Sequence, residues 1–272
     1  MTYCVAMKLN DGLVFLSDSR TNAGMDNFFT FRKMSIYEER SGDKQRVMVM
    51  LTAGNLAISQ AVRQVLHSQL VDDGFGNQVG IWNCRTMFDA ARLVGAAVRT
   101  VQARDGEALA RVGVDFNVGI IFGGQIGGEG MRLFNIYSAG NFVEATLDNC
   151  YFQIGETKYG KPIIDRVVSP DTPLDEAAKC ALISMDSTLK SNLSVGLPLD
   201  LLVYEKNSFN AAQRICMDEQ NPYFQLIRNT WGSKIKDVFT EIEDPDWKNP
   251  KAAHPLLTRS TRHAEIPVLN AS

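Results

Sequence analysis

The order of strand and helix patterns along the chain predicts an α+β fold of four layers, α-β-β-α, in which two stacked antiparallel sheets are flanked by helices. Three observations carry this expectation. The first 54 residues read as β-structure, two helical patterns follow, and strands then return in pairs with further helices between them. A chain of 272 residues is ample to bury a core of that size.

Residues 2–9 and 13–17 read as a hairpin around Asn10-Asp11-Gly12, because an Asp-Gly step readily takes the positive-φ geometry of a tight turn. A second strand pair is expected over 34–38 and 46–51, rich in Ile, Val, Tyr and Met, with Ser41-Gly42-Asp43-Lys44 as its turn. Ile58, Val62, Val65 and Leu66 recur at helical spacing, as do Met87, Ala91, Val94, Val98 and Val101, and Thr86 with Asp89 has the pattern of a capping box. Residues 72–77 between the two helices read as a loop. Strands are expected over 114–122 and 131–137, with the glycine-rich stretch 123–130 as their hairpin connection. A short helix over 159–167 leads to Thr172-Pro173, where Thr at the N-cap and Pro at the first helical position announce a longer helix with a buried stripe of Leu174, Ala178, Ala181, Met185 and Leu189. Strands over 199–205 and 211–217 and a helix over 222–242 complete the pattern. One domain is expected over 1–244. Residues 245–272, with Pro245, Pro250, Pro255 and Pro267 and no periodicity, read as an extended tail suited to reaching a neighbouring subunit.

Composition narrows the function classes. With 45% hydrophobic and 22% charged residues the chain reads as an ordinary globular protein. A formal charge of -3 gives no electrostatic reason to expect nucleic acid or anionic lipid as a partner. No apolar run approaches the ~18 residues of a membrane span, and no secretory signal opens the chain, so a cytoplasmic protein is expected. Five widely spaced cysteines without a Cys-x-x-Cys pair point to reduced thiols. His67, His254 and His263 have no metal-ligand spacing, and no metal or cofactor is expected.

The residue behind the initiator Met carries the chemistry. Once Met1 is removed, Thr2 holds both a hydroxyl and a free α-amine, and an amine titrating near ~8 is a usable general base for a poor nucleophile. Removal by an aminopeptidase that tolerates a small second residue is expected to suffice, without a propeptide. Asp18, in Ser17-Asp18-Ser19-Arg20, and Lys33, in Phe31-Arg32-Lys33-Met34, can form a charged pair at the ends of neighbouring strands. A lysine beside the N-terminus favours the neutral amine, and the carboxylate orients the lysine. Gly54, in Thr52-Ala53-Gly54-Asn55 at a strand end, can bring a backbone N–H close to a substrate as an oxyanion donor.

Thr-x-x-x-Ala at positions 2–6, Ser17-Asp18-Ser19-Arg20, Lys33 and Thr52-Ala53-Gly54 together resemble the β-subunits of proteasomes, which are N-terminal nucleophile (Ntn) hydrolases. The opening Met1 to Met7 and the run Leu13 to Gly24 are similar, more narrowly, to the bacterial proteasome-like Anbu (ancestral β-subunit) family, over about residues 2–240. The resemblance implies the Ntn hydrolase fold and a threonine-type peptidase or amide hydrolase with Thr2 as nucleophile, Lys33 as its electrostatic activator and Asp18 orienting the lysine. It also implies roles for Asp186 and for a following serine, here Ser194, and a substrate pocket near Thr21, Thr52 and Leu56. Self-association into a large homo-oligomer, a ring or an open spiral, is implied as well, with any ATPase partner unknown. The chain departs from the pattern in two places. Lys33 lies one residue closer to the threonine, and the family's Gly-Ser-Gly becomes Gly155-Glu156-Thr157. The alternatives are an inactive or weakly active assembly protein of the same fold, or a small-molecule amidase.

Overall fold

The chain begins with a strand, β1 (Tyr3–Lys8), that pairs antiparallel with β2 (Gly12–Asp18) from Cys4↔Ser17 to Lys8↔Leu13, as the Asp-Gly turn predicts. The structure, a computed structural model, describes residues 1–22, 28–41, 45–72 and 76–244, the side chains of residues 21, 22, 28 and 29 excepted. The short pair β3 (Arg20–Asn22) and β4 (Phe28–Thr30) leads to β5 (Met34–Glu39) and β6 (Arg46–Gly54), which pair antiparallel, while residues 42–44 of the expected turn and 73–75 of the expected loop lie outside the described residues. Then come α1 (Leu56–Ser68), the two-residue strands β7 (Val71–Asp72) and β8 (Gln78–Val79), and α2 (Met87–Arg111). Strands β9 (Val118–Ile126), β10 (Arg132–Ile136), β11 (Phe142–Glu144) and β12 (Tyr151–Gly155) precede α3 (Lys161–Val167) and α4 (Leu174–Ser191). The last elements are β13 (Leu199–Glu205), β14 (Arg214–Met217) and α5 (Pro222–Glu241).

Two five-stranded sheets result, in the orders β12-β1-β2-β13-β14 and β11-β10-β9-β6-β5. Strand alternation sorts side chains between their faces. Cys4, Ala6, Leu13 and Phe15 of the first sheet meet Val47, Val49, Leu51, Ile121 and Leu133 of the second in a buried layer between the sheets. Val5, Met7, Val14 and Leu16 face the other way and pack with Ala177, Ala181 and Met185 of α4. Met48, Met50, Ile120 and Phe122 meet Ile58, Val62 and Val65 of α1 and Ala91, Val94 and Val98 of α2. The expected α+β, four-layer arrangement of two stacked antiparallel sheets flanked by helices is therefore present, and each fully buried Leu or Phe contributes about 1.5–3 kcal/mol by leaving water.

Three local expectations need correction. The glycine run is not all turn: β9 extends through Gly123 and Gly124 to Ile126, and a Cβ on Gly124 would lie 2.0 Å from the carbonyl oxygen of Val47 on the neighbouring strand. Thr172 does not cap α4. Its Oγ accepts the N–H of Ser169 at 2.9 Å, and Pro173 occupies the N-cap without a side-chain bond. β14 begins only at Arg214, because Ala211 to Gln213 form no ladder beyond the bond from Val203 N–H to the Gln213 carbonyl. By contrast Thr86 caps α2 as its sequence predicts, its Oγ accepting the Asp89 N–H at 3.0 Å.

The chain divides into two compact units, Met1–Arg228 and Asn229–Ser272. The described part of the second continues α5 to Glu241 and leaves Ile235, Val238 and Phe239 exposed. The expected tail over 245–272, with His254, His263 and Trp247, lies outside the described residues. Among the described residues no helix is long and apolar enough to cross a membrane.

Candidate active site

The first ladder pair of the chain is Tyr3↔Gly155, which places Thr2 at the end of β1 beside the end of β12. Thr2 is locked there by its own backbone, since its carbonyl accepts the Glu156 N–H at 2.7 Å. The approach is so close that a Cβ on Gly155, whose φ is +82°, would stand 2.0 Å from that carbonyl oxygen. Only glycine serves at that position.

Asp18 closes β2 on the other side of β1 and is fully buried. Its Oδ1 accepts the Tyr3 N–H at 3.0 Å, and its Oδ2 lies 2.6 Å from Lys33 Nζ. The Gly196 N–H also donates to this carboxylate. Lys33, 5% exposed, donates a second bond from Nζ to the Arg20 carbonyl at 2.6 Å, while its own carbonyl accepts the Thr52 N–H at 3.1 Å. Burial pushes the Asp18 carboxyl above the usual aspartate range, and the Lys33 ammonium and the bonds from Tyr3 and Gly196 pull against that rise. With Met1 in place the α-amine is that of Met1. Burial first, and Lys33 second, hold its pKa below the ordinary value, whereas Asp18 and Glu156 oppose them.

A cavity of about 740 Å³ opens over this corner, lined by Thr2, Lys33, Thr52, Gly54, Leu56 and Met1 among others. Gly54 ends β6 exposed to it. Arg20, Asn117, Asn135, Gln153 and Thr157 give the wall its polar groups. Of the residues expected from the sequence, Thr2, Asp18, Lys33, Thr52, Gly54 and Leu56 therefore come together. The side chain of Thr21 is outside the described residues. Asp186 and Ser194 are not among the cavity's lining residues. Asp186, on α4, accepts a bond from Arg228 Nε at 3.2 Å. Ser194 donates from Oγ to Asn192 Oδ1 at 2.5 Å.

Sequence reading passes over two supports of the site. Tyr3, fully buried one residue after Thr2, shares a hydrogen bond with Ser184 Oγ at 3.0 Å and accepts another from Gln153 Nε2 at 2.5 Å. Asn192 links α4 to Glu156 through Nδ2 and Oε2 at 2.8 Å. Its signal is local: Asn192-Leu193-Ser194 has the spacing of an Asx-turn, in which Oδ1 accepts the N–H two residues on, here at 2.9 Å. Cys4 offers no rival nucleophile, because burial and the neighbouring Asp18 push its thiol far up and its Sγ faces the Thr52 carbonyl.

Solved structures share this fold. The chain is 50% identical to Anbu from Yersinia bercovieri, with a TM-score of 0.80 over 90% of this chain and 99% of that one. The chain belongs to the Anbu family. Anbu from Hyphomicrobium is 45% identical, with a TM-score of 0.81 over 90% of this chain and 100% of that one. The helical assembly of the Anbu complex from Pseudomonas aeruginosa contains a chain that is 44% identical, again at 0.81, over 90% and 98% of the two chains. No protein-family model and no curated protein matches the chain significantly.

Proposed function

We propose that the protein is a proteasome-like threonine hydrolase of peptides or amides, with Thr2 as its nucleophile after Met1 is removed. The observation that carries this reading is the buried pair of Lys33 and Asp18, 2.6 Å apart, with Lys33 and Thr2 lining one cavity of about 740 Å³. In the proposed reaction the α-amine of Thr2 takes the Oγ proton as Oγ attacks the carbonyl carbon. The Gly54 N–H stabilises the oxyanion, the protonated amine hands its proton to the departing nitrogen as the C–N bond breaks, and water activated by the amine then hydrolyses the ester. Lys33 stabilises the developing negative charge at Oγ, and Asp18 orients Lys33. Thr21, Thr52 and Leu56 are assigned to the substrate pocket. Asp186 and Ser194 are assigned supporting roles behind the nucleophile. The Anbu complex from Pseudomonas aeruginosa is a helical assembly, and we extend self-association into a homo-oligomer, with a contribution from residues 245–272, to this chain.

The test is intact-mass analysis of the Met1-free chain after incubation with a threonine-directed epoxyketone or boronate, beside Thr2→Ala. A single adduct on the wild type that Thr2→Ala abolishes is the expected result. An adduct that persists in Thr2→Ala refutes the mechanism, and no adduct on the Met1-free wild type favours the alternative, a non-catalytic assembly protein. Loss of peptide cleavage with retained cleavage of small amides would identify the amidase reading.

A further inference from the structure

We propose that Glu156 is a positioning residue for the N-terminal α-amine, an anion set against Lys33, and that Asn192 and Lys158 hold its carboxylate in place. Its meaning for catalysis rests on the reading of Thr2 as nucleophile, but the interaction is measurable without turnover.

The backbone puts residues 2 and 156 side by side. β12 ends on Gly155 in a positive-φ conformation packed on the Thr2 carbonyl, and the next N–H, that of Glu156, bonds this carbonyl at 2.7 Å. Removal of Met1 leaves that bond in place, because it is made by Thr2 itself. The Glu156 side chain is only 8% exposed, an unusual site for a carboxylate unless its charge has a use.

Two groups fix it. Asn192 follows the last residue of α4, and its Oδ1 accepts both the N–H and the Oγ–H of Ser194. This settles the orientation of the amide, since only Oδ1 can accept those bonds. Nδ2 is then turned towards Glu156 and donates to Oε2 at 2.8 Å. Ser194 thus acts on the site through Asn192. Lys158 Nζ stands 3.2 Å from Oε1, but its own side chain is 67% exposed, so water screens much of its charge. A buried carboxylate with one neutral donor and one screened cation keeps a negative potential towards its buried side.

The charged groups that act on the α-amine are Lys33, Asp18 and Glu156, and Arg20 lines the cavity beside it. Asp18 is engaged by Lys33 at 2.6 Å, which offsets much of its charge. Asp18 and, after it, Glu156 counter burial and Lys33, both of which drive the amine towards the neutral form. An amine driven too far in that direction accepts the Oγ proton poorly and cannot carry it to the leaving nitrogen. Glu156 keeps its proton affinity in the working range.

The test uses the full chain with Thr2 as first residue, checked by intact mass. The α-amine is titrated by competitive acetylation across about pH 5 to 10, with the N-terminal peptide read by mass spectrometry. Glu156→Gln should lower the amine pKa by about one unit, roughly a tenfold loss of proton affinity. Glu156→Asp should restore part of the shift. The acid limb of the pH profile for adduct formation at Thr2 should move down in the same order. Lys158→Met, at an exposed position, should raise the amine pKa by a smaller amount, acting through Glu156. An amine pKa that is the same in wild type and in folded Glu156→Gln overturns the inference. If Glu156→Gln does not fold, an unchanged pKa in Lys158→Met overturns it. The acetylation reads the amine whether or not Thr2 reacts, so failure here and failure of the nucleophile reading are separate results.

Discussion

Removing one member of the Lys33 and Asp18 pair should cost far more stability than removing both. At 2.6 Å the attraction between the two unit charges is about 6 kcal/mol for an effective dielectric of ~20, and the desolvation of two ions this deeply buried is several kcal/mol each, so the pair as a whole contributes little net stability. Lys33→Met leaves the fully buried Asp18 carboxylate with the N–H groups of Tyr3 and Gly196 alone, and should cost about 3–5 kcal/mol. Asp18→Asn keeps the shape and an acceptor for Tyr3 but leaves the Lys33 ammonium on the Arg20 carbonyl, and should cost a similar amount. The double variant should be more stable than either single one, which corresponds to a coupling energy above about 3 kcal/mol. Urea unfolding followed by circular dichroism, at one protein concentration and at neutral pH, measures all four corners of the cycle. Additivity of the two single effects to within about 0.5 kcal/mol would refute the argument, because it would mean that neither charge depends on the other for its burial.

Two further predictions concern the ground on which Thr2 stands. Gly155→Ala should displace the Thr2 carbonyl, now 2.0 Å from the position of the new Cβ, and should abolish the epoxyketone adduct while circular dichroism shows the sheets intact; a full-strength adduct would show that the end of β12 does not set the position of Thr2. Tyr3→Phe removes the hydroxyl shared by Ser184 and Gln153 and should lower stability by about 1–3 kcal/mol, since two polar groups lose a buried partner; an unchanged urea midpoint would count against that role.

Much of the fold is readable from residue order because the local signals agree with tertiary packing. The Asp11-Gly12 hairpin, the stripes of α1 and α2 and the Thr86 cap all follow from spacing and turn chemistry. Where the reading departs, a long-range contact decides. Gly123 and Gly124 resemble a loop in one dimension, yet a Cβ on either would collide with Leu133 or with the backbone of Val47, which no local pattern reveals. Thr172 has the composition of an N-cap but satisfies the N–H of Ser169 in the preceding turn. In the candidate site, Thr2, Asp18, Lys33 and Gly54 stand out in the sequence because each is a residue type the proposed chemistry requires, at a strand end. The clamp on Glu156 is not, since Asn192 reaches it from 36 residues away in the chain.

The pairing of β1 begins at Tyr3, whose N–H is taken by Asp18, so every ladder bond of the first strand lies downstream of the scissile bond that frees Thr2. Met1 itself is 62% exposed and lines the cavity. Under the proposed function, loss of Met1 therefore breaks no ladder bond of the first sheet and exposes the nucleophile on a strand whose pairing is already complete.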